Sequence, residues 1–258
     1  MIIFSNKYFN ISMMNKISVI IITKNESQNI GDCLESVKWA DEIIVVDSGS
    51  TDETVSIAKQ FTDKVIFNEW KGFAEQKSFA MNQAANEWIL SIDADERVTQ
   101  KLKDEIINLN LNQFDGFKIK RENYFLGKLI RSCGWGNDYQ LRLFRKTKTK
   151  LTNRLVHEGF EVNGKTAQLR NPMLHFSYKN FQDAFNKINH YSTLEAVEKK
   201  ERKRVNFLSI VLTPILAFFQ HYIIRYGFID GIYGLFVSIL HSYTKLQVQL
   251  KIWELKNK

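Results

Sequence analysis

Two aspartates separated by one small residue, Asp93-Ala94-Asp95, follow the apolar run Trp88-Ile89-Leu90-Ser91-Ile92. Carboxylates at this spacing, at the end of a buried strand, can reach one hard divalent cation. Mg²⁺ and Mn²⁺ prefer oxygen ligands and often share them with phosphates. A cation bridging a diphosphate neutralises the charge that builds on that leaving group. A bare triplet of this kind is common by chance, and its place in the chain is what gives it weight. Two further polar clusters stand in corresponding places. Thr23-Lys24-Asn25-Glu26 follows Ile17-Ser18-Val19-Ile20-Ile21-Ile22, and Asp47-Ser48-Gly49-Ser50 follows Glu42-Ile43-Ile44-Val45-Val46. Loop tips are polar in any protein and Asp favours helix caps, but that accounts poorly for three acidic clusters at matching positions.

The elements that must hold these clusters are legible as hydrophobic patterns. The two β-branched runs read as buried strands, and a helix is expected between them over Ile30–Trp39. Ser50-Thr51-Asp52-Glu53 has the form of a capping box and predicts a helix over Thr54–Phe61. Lys64–Phe67 is a third short strand, Phe73, Lys77, Ala80, Met81 and Ala84 share one helical face, and Trp88–Ile92 is a fourth strand. Strands alternating with helices imply a parallel sheet covered on both faces, and in such sheets the ligand lies beyond the carboxyl ends of the strands. A helix is expected from Gln100 to about Asn110. Gly116–Lys120 and Gln140–Arg145 then alternate as half-buried strands around the loop Gly134-Trp135-Gly136-Asn137-Asp138. Residues 181–204 read as a charged helix, followed by the apolar Phe207–Ile224, which Pro214, Gln220 and His221 interrupt, and by Gly227–Leu240.

With 258 residues, 44% hydrophobic and 25% charged, the chain can bury a substantial core. A net charge of +8 suits nucleic acid, an anionic membrane surface or a phosphorylated substrate. The placement of the charge favours the membrane: Glu198–Arg204, rich in Lys and Arg, abuts the apolar segment, and no nucleic-acid-binding motif is present. Cys33 and Cys133 lack metal or disulfide-framework spacing and fit a reducing cytoplasm. Residues 1–16 read as an extension without the apolar core or cleavage site of a signal peptide, with Met13 or Met14 as alternative starts.

Together, Val19–Glu26, Ile44–Asp52 and Ile89–Glu96 resemble the inverting family 2 glycosyltransferases. The resemblance covers roughly Ile17–Phe125 and implies an α/β GT-A fold, Rossmann-like with a mostly parallel central sheet. It implies that Thr23, Asn25, Glu26 and Asp47 contact the base and ribose of a nucleotide-sugar, that Asp93 lies near the ribose or sugar, and that Asp95 holds Mg²⁺ or Mn²⁺. Lys77 stands where the family often has a basic residue near the phosphates. Gln140–Arg145 followed by Val156-His157-Glu158 resembles the branch containing lipopolysaccharide core β-1,4-glucosyltransferases. That branch implies transfer of a hexose, glucose from UDP-glucose, to an inner-core heptose, hence a glycolipid or saccharide acceptor.

Inversion requires a general base for the acceptor hydroxyl. The Glu-Asp pair of many family members is absent here, and Asp138 and Glu158 are the candidates. His157 either completes the metal shell or is structural. Arg142 and Arg145 either meet phosphates or an anionic acceptor, or lie on a solvated strand face. Trp135 either stacks on an acceptor sugar or anchors its loop. The expected organisation is an extension (1–16), a GT-A domain (17–180, with its nucleotide-sugar half at 17–125 and acceptor half at 126–180) and a C-terminal helical appendage (181–258). The appendage either lies in the membrane interface, peripheral on the cytoplasmic face, or caps the catalytic domain. A nucleotidyltransferase is disfavoured because Thr23–Ser27 has no glycine for a phosphate loop. A sugar- or membrane-binding protein with a degenerate GT-A fold is the other alternative.

Overall fold

The computed structural model describes residues 16–152 and 159–257, so His157 and Glu158 lie outside the described residues. The chain begins with β1 (Ile17–Thr23), α1 (Ser27–Val37), β2 (Glu42–Asp47), α2 (Thr54–Ala58), β3 (Val65–Phe67), α3 (Phe73–Gln83) and β4 (Trp88–Asp93). It continues through β5 (Glu96–Val98), α4 (Gln100–Ile107), β6 (Gly116–Phe125), β7 (Lys128–Leu129) and β8 (Asp138–Arg145). Four short strands follow: β9 (Thr149–Leu151), β10 (Phe160–Val162), β11 (Thr166–Gln168) and β12 (Met173–Tyr178). The chain ends in α5 (Phe181–Lys199), α6 (Phe207–Phe219) and α7 (Gly231–Asn257).

The main sheet runs β3-β2-β1-β4-β8-β6-β12-β5. Its first four strands are all parallel, whereas β8 is antiparallel to both β4 and β6 and β12 rejoins β6 in parallel. Alternate residues of the β-branched strands enter opposite layers. Val19, Ile21, Val45 and Leu90 pack with Ile30 and Leu34 of α1 and Leu102 and Ile106 of α4. Ile20, Ile44, Val46 and Ile89 pack with Ala80 and Met81 of α3. Burial on both faces is why these strands read as unbroken apolar runs.

Two local expectations are corrected. Helix α1 begins at Ser27, because the Glu26 carbonyl already accepts from the amides of Asn29 and Ile30 (2.8 Å each). The Ser50 capping box does not form: the Ser50 hydroxyl is engaged by Asp47 and by the Asn25 amide (2.8 Å). Asp52 instead accepts from the Thr54 amide at 3.0 Å, at the start of the shorter α2.

At the C-terminus the two alternatives divide between helices. Helix α7 is a cap, with Val237 and Leu240 in a core with Phe125 and Ile130, and Val248 and Ile252 against Ala196 of α5. Helix α6 packs on α7 but leaves Phe207, Leu208, Val211, Leu212, Ile215, Leu216 and Phe219 exposed. These positions recur every three to four residues and form one continuous apolar face.

Candidate active site

The register of the parallel strands brings the three polar clusters to one rim. Thr23 pairs with Asp47 across β1 and β2, and Ile22 pairs with Asp93 across β1 and β4. A cavity of about 1060 Å³ opens at this rim. Thr23, Asn25, Glu26, Lys77, Asp93 and Asp95 line it from the parallel half, and Asp138, Trp135, His175 and Lys187 line it from the remainder. The Thr23 hydroxyl is buried there with no hydrogen-bond partner among the described residues, a polar atom left for a ligand to satisfy.

Asp47 does not line the cavity. Its carboxylate accepts from the amides of Gly49 (2.8 Å) and Ser50 (2.9 Å) and so folds its own loop. Asn25, held at φ 55°, accepts the Thr51 amide at 2.8 Å, which ties the two loops together. Scaffolding by these side chains is what sets the rim's shape. Glu26 accepts from the Asn29 side chain at 2.7 Å, and burial, with the Asp95 charge nearby, raises its pKa.

Asp93 sits among cations. Lys77 Nζ is 3.2 Å from one carboxylate oxygen and Arg142 Nη2 is 2.6 Å from the other. Burial alone would raise its pKa, but Arg142 and Lys77 outweigh that and hold the carboxyl well below the usual range. Arg142 also bonds the fully buried Glu96, Glu96 meets Arg121 at 3.3 Å, and Arg121 meets Asp138 at 2.7 Å. A chain of alternating charges therefore joins the end of β4 to the start of β8. This corrects both readings of the β8 arginines. Arg142 is buried and does not line the cavity, because Asp93 at the end of β4 and Glu96 at the start of β5 engage it. Arg145 lies over the Trp88 ring (4.9 Å) and pairs with Asp115 (3.5 Å), away from the cavity.

Removing one member of a buried ion cluster strands its partners' charges. Arg142→Met is therefore expected to cost about 3–5 kcal/mol of stability, measured by urea unfolding. A loss under about 1 kcal/mol would show that the cluster contributes no more than surface pairs do.

Asp95 lies in the turn between β4 and β5. His175 Nε2 approaches its carboxylate at 3.6 Å and Lys187 Nζ at 3.4 Å. Burial opposes its ionisation, but His175 and Lys187 bring its pKa down to about 2. Strand β12 places His175: it pairs with Glu96 across β5, and the Phe176 amide donates to the Asp95 carbonyl at 2.9 Å. The ring's orientation is also fixed. Asn123 donates its amide hydrogens to the Trp135 carbonyl and to Asp138 (3.2 Å each). Its carbonyl oxygen is left to accept from His175 Nδ1 at 2.6 Å. Nε2 then faces the Asp95 carboxylate, where in its deprotonated form it would be a second electron-pair donor; an imidazole whose other nitrogen donates to a carbonyl is the usual arrangement of a ligand histidine. Asp95 and His175 thus fit a divalent cation. Among the described residues no three His, Cys, Asp or Glu side chains form a ready cage; Mg²⁺ in particular is commonly held by one or two carboxylates together with substrate phosphates.

Asp138 is the first residue of β8 rather than part of the preceding loop. Burial raises its pKa, while Arg121, Gln140 and Asn123 lower it by more, so the carboxyl titrates below its ordinary value. Trp135 lines the cavity and also packs against the cluster around Phe125, so neither of its two expected roles excludes the other. The sequence reading did not single out His175, Lys187 or the aromatic wall in which Trp70 meets Phe73 (4.6 Å) and Phe73 stacks on Tyr191 (5.7 Å). The alternation Leu174-His175-Phe176-Ser177-Tyr178 is a signal that could have marked a strand carrying His175.

Acidic side chains gathered beyond the carboxyl ends of parallel strands stand where an open α/β sheet binds its ligand. The family model for glycosyl transferase family 2 matches residues 18–170, more than half of the chain, and the chain belongs to that family. It is 34% identical over 260 residues to an uncharacterized glycosyltransferase of Rickettsia typhi, covering 95% of this chain and 89% of that one. It is 32% identical over 216 residues to the lipopolysaccharide core biosynthesis glycosyltransferase LpsC of Rhizobium meliloti, covering 80% of each. The crystal structure of Staphylococcus aureus TarS 1–349 in complex with UDP-GlcNAc aligns with 94% of this chain and 92% of that one, at 14% identity and a TM-score of 0.48.

Proposed function

We propose that this glycosyltransferase moves a hexose, glucose in the first instance, from a UDP-sugar to a lipid-linked saccharide such as the lipopolysaccharide inner core, with inversion. The observation that carries this is the cavity in which Asp93, Asp95 and Lys77 face one compartment with Asp138 and Trp135. The relationship to LpsC, whose name places it in lipopolysaccharide core biosynthesis, supports the acceptor class. Thr23, Asn25 and Glu26 would bind the nucleoside, and Lys77 and Lys187 would attract the diphosphate. Asp95 and His175 would hold Mg²⁺ or Mn²⁺, which when bound supplies charge neutralisation at the departing UDP. Asp138, ionised and aimed by Arg121 and Asn123, would take the proton of the acceptor hydroxyl as its oxygen attacks the anomeric carbon.

The test is transfer of labelled glucose from UDP-glucose to inner-core lipopolysaccharide. An α-configured donor should give a β-linked product; an α-linked product would rule out inversion, and no transfer from any UDP-hexose would rule out the donor class.

The enzyme is further proposed to work peripherally on the cytoplasmic face of the membrane. Phe207–Ile224 has a mean hydropathy of 1.8 and only 17% of it is buried. The exposed Arg202 and Arg204 immediately precede it. An apolar helix face beside basic residues suits the interface of an anionic bilayer. Leu208→Ser with Leu216→Ser is expected to weaken vesicle binding by roughly tenfold or more, read by flotation with anionic phospholipid vesicles. Undiminished flotation would assign the α6 face to another partner. Point substitutions suit this test better than truncation, because α7 reaches the catalytic cavity.

A further inference from the structure

The loop between β7 and β8 carries Trp135 toward the cavity, and the connection between α6 and α7, together with α7 itself, holds it at successive residues. Asp230, just before α7, accepts from the amides of Arg131 (3.0 Å) and Ser132 (2.8 Å) and from the Ser132 hydroxyl. The Cys133 amide donates to the Arg225 carbonyl at 2.9 Å, and His221 Nδ1 donates to the Cys133 carbonyl at 2.9 Å. Gly134, at φ +83°, lies so close under the Arg225 guanidinium that a Cβ there would be 2.5 Å from Nη1. The Trp135 indole N–H donates to His241 Nε2 at 3.1 Å. His241, on α7, stacks on His221 at 3.8 Å and itself lines the cavity.

These contacts place an element outside the family match at residues 18–170 in the wall of the catalytic cavity. The wall in question is the acceptor side, since the Asn123 side chain bonds both the Trp135 carbonyl and Asp138. We propose that α7 completes the acceptor site: His241 fixes the Trp135 indole as a platform for one sugar ring of the acceptor, and Asp230 is the positioning residue that holds the loop beneath it. This rests on the glycosyltransferase reading and adds a carbohydrate subsite to it. An indole offers a flat apolar surface to the C–H face of a sugar, and its only polar atom needs a partner when it is partly buried. His241 supplies that partner through its lone pair. Burial, with the neighbouring His221, Lys245 and Arg225 charges, lowers the His241 pKa to about 3, so the lone pair is present at neutral pH.

The test compares His241→Phe with His241→Gln in the full chain, using delipidated inner-core oligosaccharide as acceptor and UDP-glucose as donor. Phe keeps a ring on His221 but cannot accept the indole hydrogen, whereas the Gln oxygen can. His241→Phe should raise the acceptor KM about tenfold, the effect of one unsatisfied buried donor, with the donor KM shifting less than about twofold. His241→Gln should recover part of the loss. Asp230→Ala gives an independent route and should raise the acceptor KM in the same selective way. Acceptor KM unchanged in both His241→Phe and Asp230→Ala, or donor and acceptor KM rising together, would overturn the subsite while leaving the transferase reading intact. If the wild type transfers nothing, the proposed function fails separately, and calorimetric binding of the oligosaccharide decides the subsite. Weaker binding by His241→Phe supports it; equal binding, or none by the wild type, overturns it.

Discussion

Asp95→Ala is expected to lower metal-dependent UDP release by roughly 10³-fold, because a cation at a leaving diphosphate contributes several kcal/mol and each 1.4 kcal/mol is a factor of about ten. The structure leaves Asp95 the less tightly ion-paired of the two candidate carboxylates. Asp93 is bracketed by Lys77 and Arg142 at 3.2 and 2.6 Å, so a second cation would have to displace a short ion pair. Among the described residues, Asp95 meets the longer contacts of His175 (3.6 Å) and Lys187 (3.4 Å). His175→Ala should act in the same direction, through a higher concentration of Mn²⁺ needed for half-maximal activity. Asp95→Ala with turnover within about twofold of wild type would remove the metal from this position.

Asp138→Asn is expected to lower transfer by roughly 10²–10⁴-fold, the range for loss of a general base, with little change in the affinity for UDP-sugar. Asn keeps the shape and can still bond Asn123, so what is lost is the capacity to take a proton. The same assignment fixes the sign of a pH effect. Arg121, Gln140 and Asn123 hold the Asp138 carboxyl below its ordinary pKa, so the base stays ionised as pH falls into the usual carboxylate range. The acidic limb of kcat/KM should lie below the ordinary aspartate pKa. An acidic limb near neutrality, or transfer by Asp138→Asn close to wild type, would shift the role to another residue; Glu158 is the candidate from the sequence.

What was legible in the sequence follows from what pattern can encode. Strands β1 and β2 are β-branched runs and β4 is an apolar one, all buried on both faces, and the polar clusters that follow them announce the rim. Strands β5, β7, β9, β10 and β11 have two or three residues each, too few for a period to register. The partners of a charged side chain were less legible still. Alternation in Gln140–Arg145 marked Arg142 as belonging to one face, but not that Glu96 and Asp93 would cover that face. His175 reaches Asp95 through pairing of β12 with β5, a long-range contact with no local signature. Hydropathy flagged the C-terminal helices without separating the exposed α6 from α7, whose Val237 and Leu240 are buried and whose His241 enters the cavity.

The central claim is that the rim of β1, β2 and β4 binds a UDP-sugar together with a divalent cation. UDP release from the purified full chain, measured with UDP-glucose and other nucleotide-sugars in Mn²⁺ or Mg²⁺, with and without EDTA, tests it most directly when paired with calorimetric binding of UDP. UDP should bind and be released from one UDP-hexose, and EDTA or Asp95→Ala should suppress both. Release that persists in EDTA, or a protein that neither binds UDP nor cleaves any UDP-sugar, would contradict it.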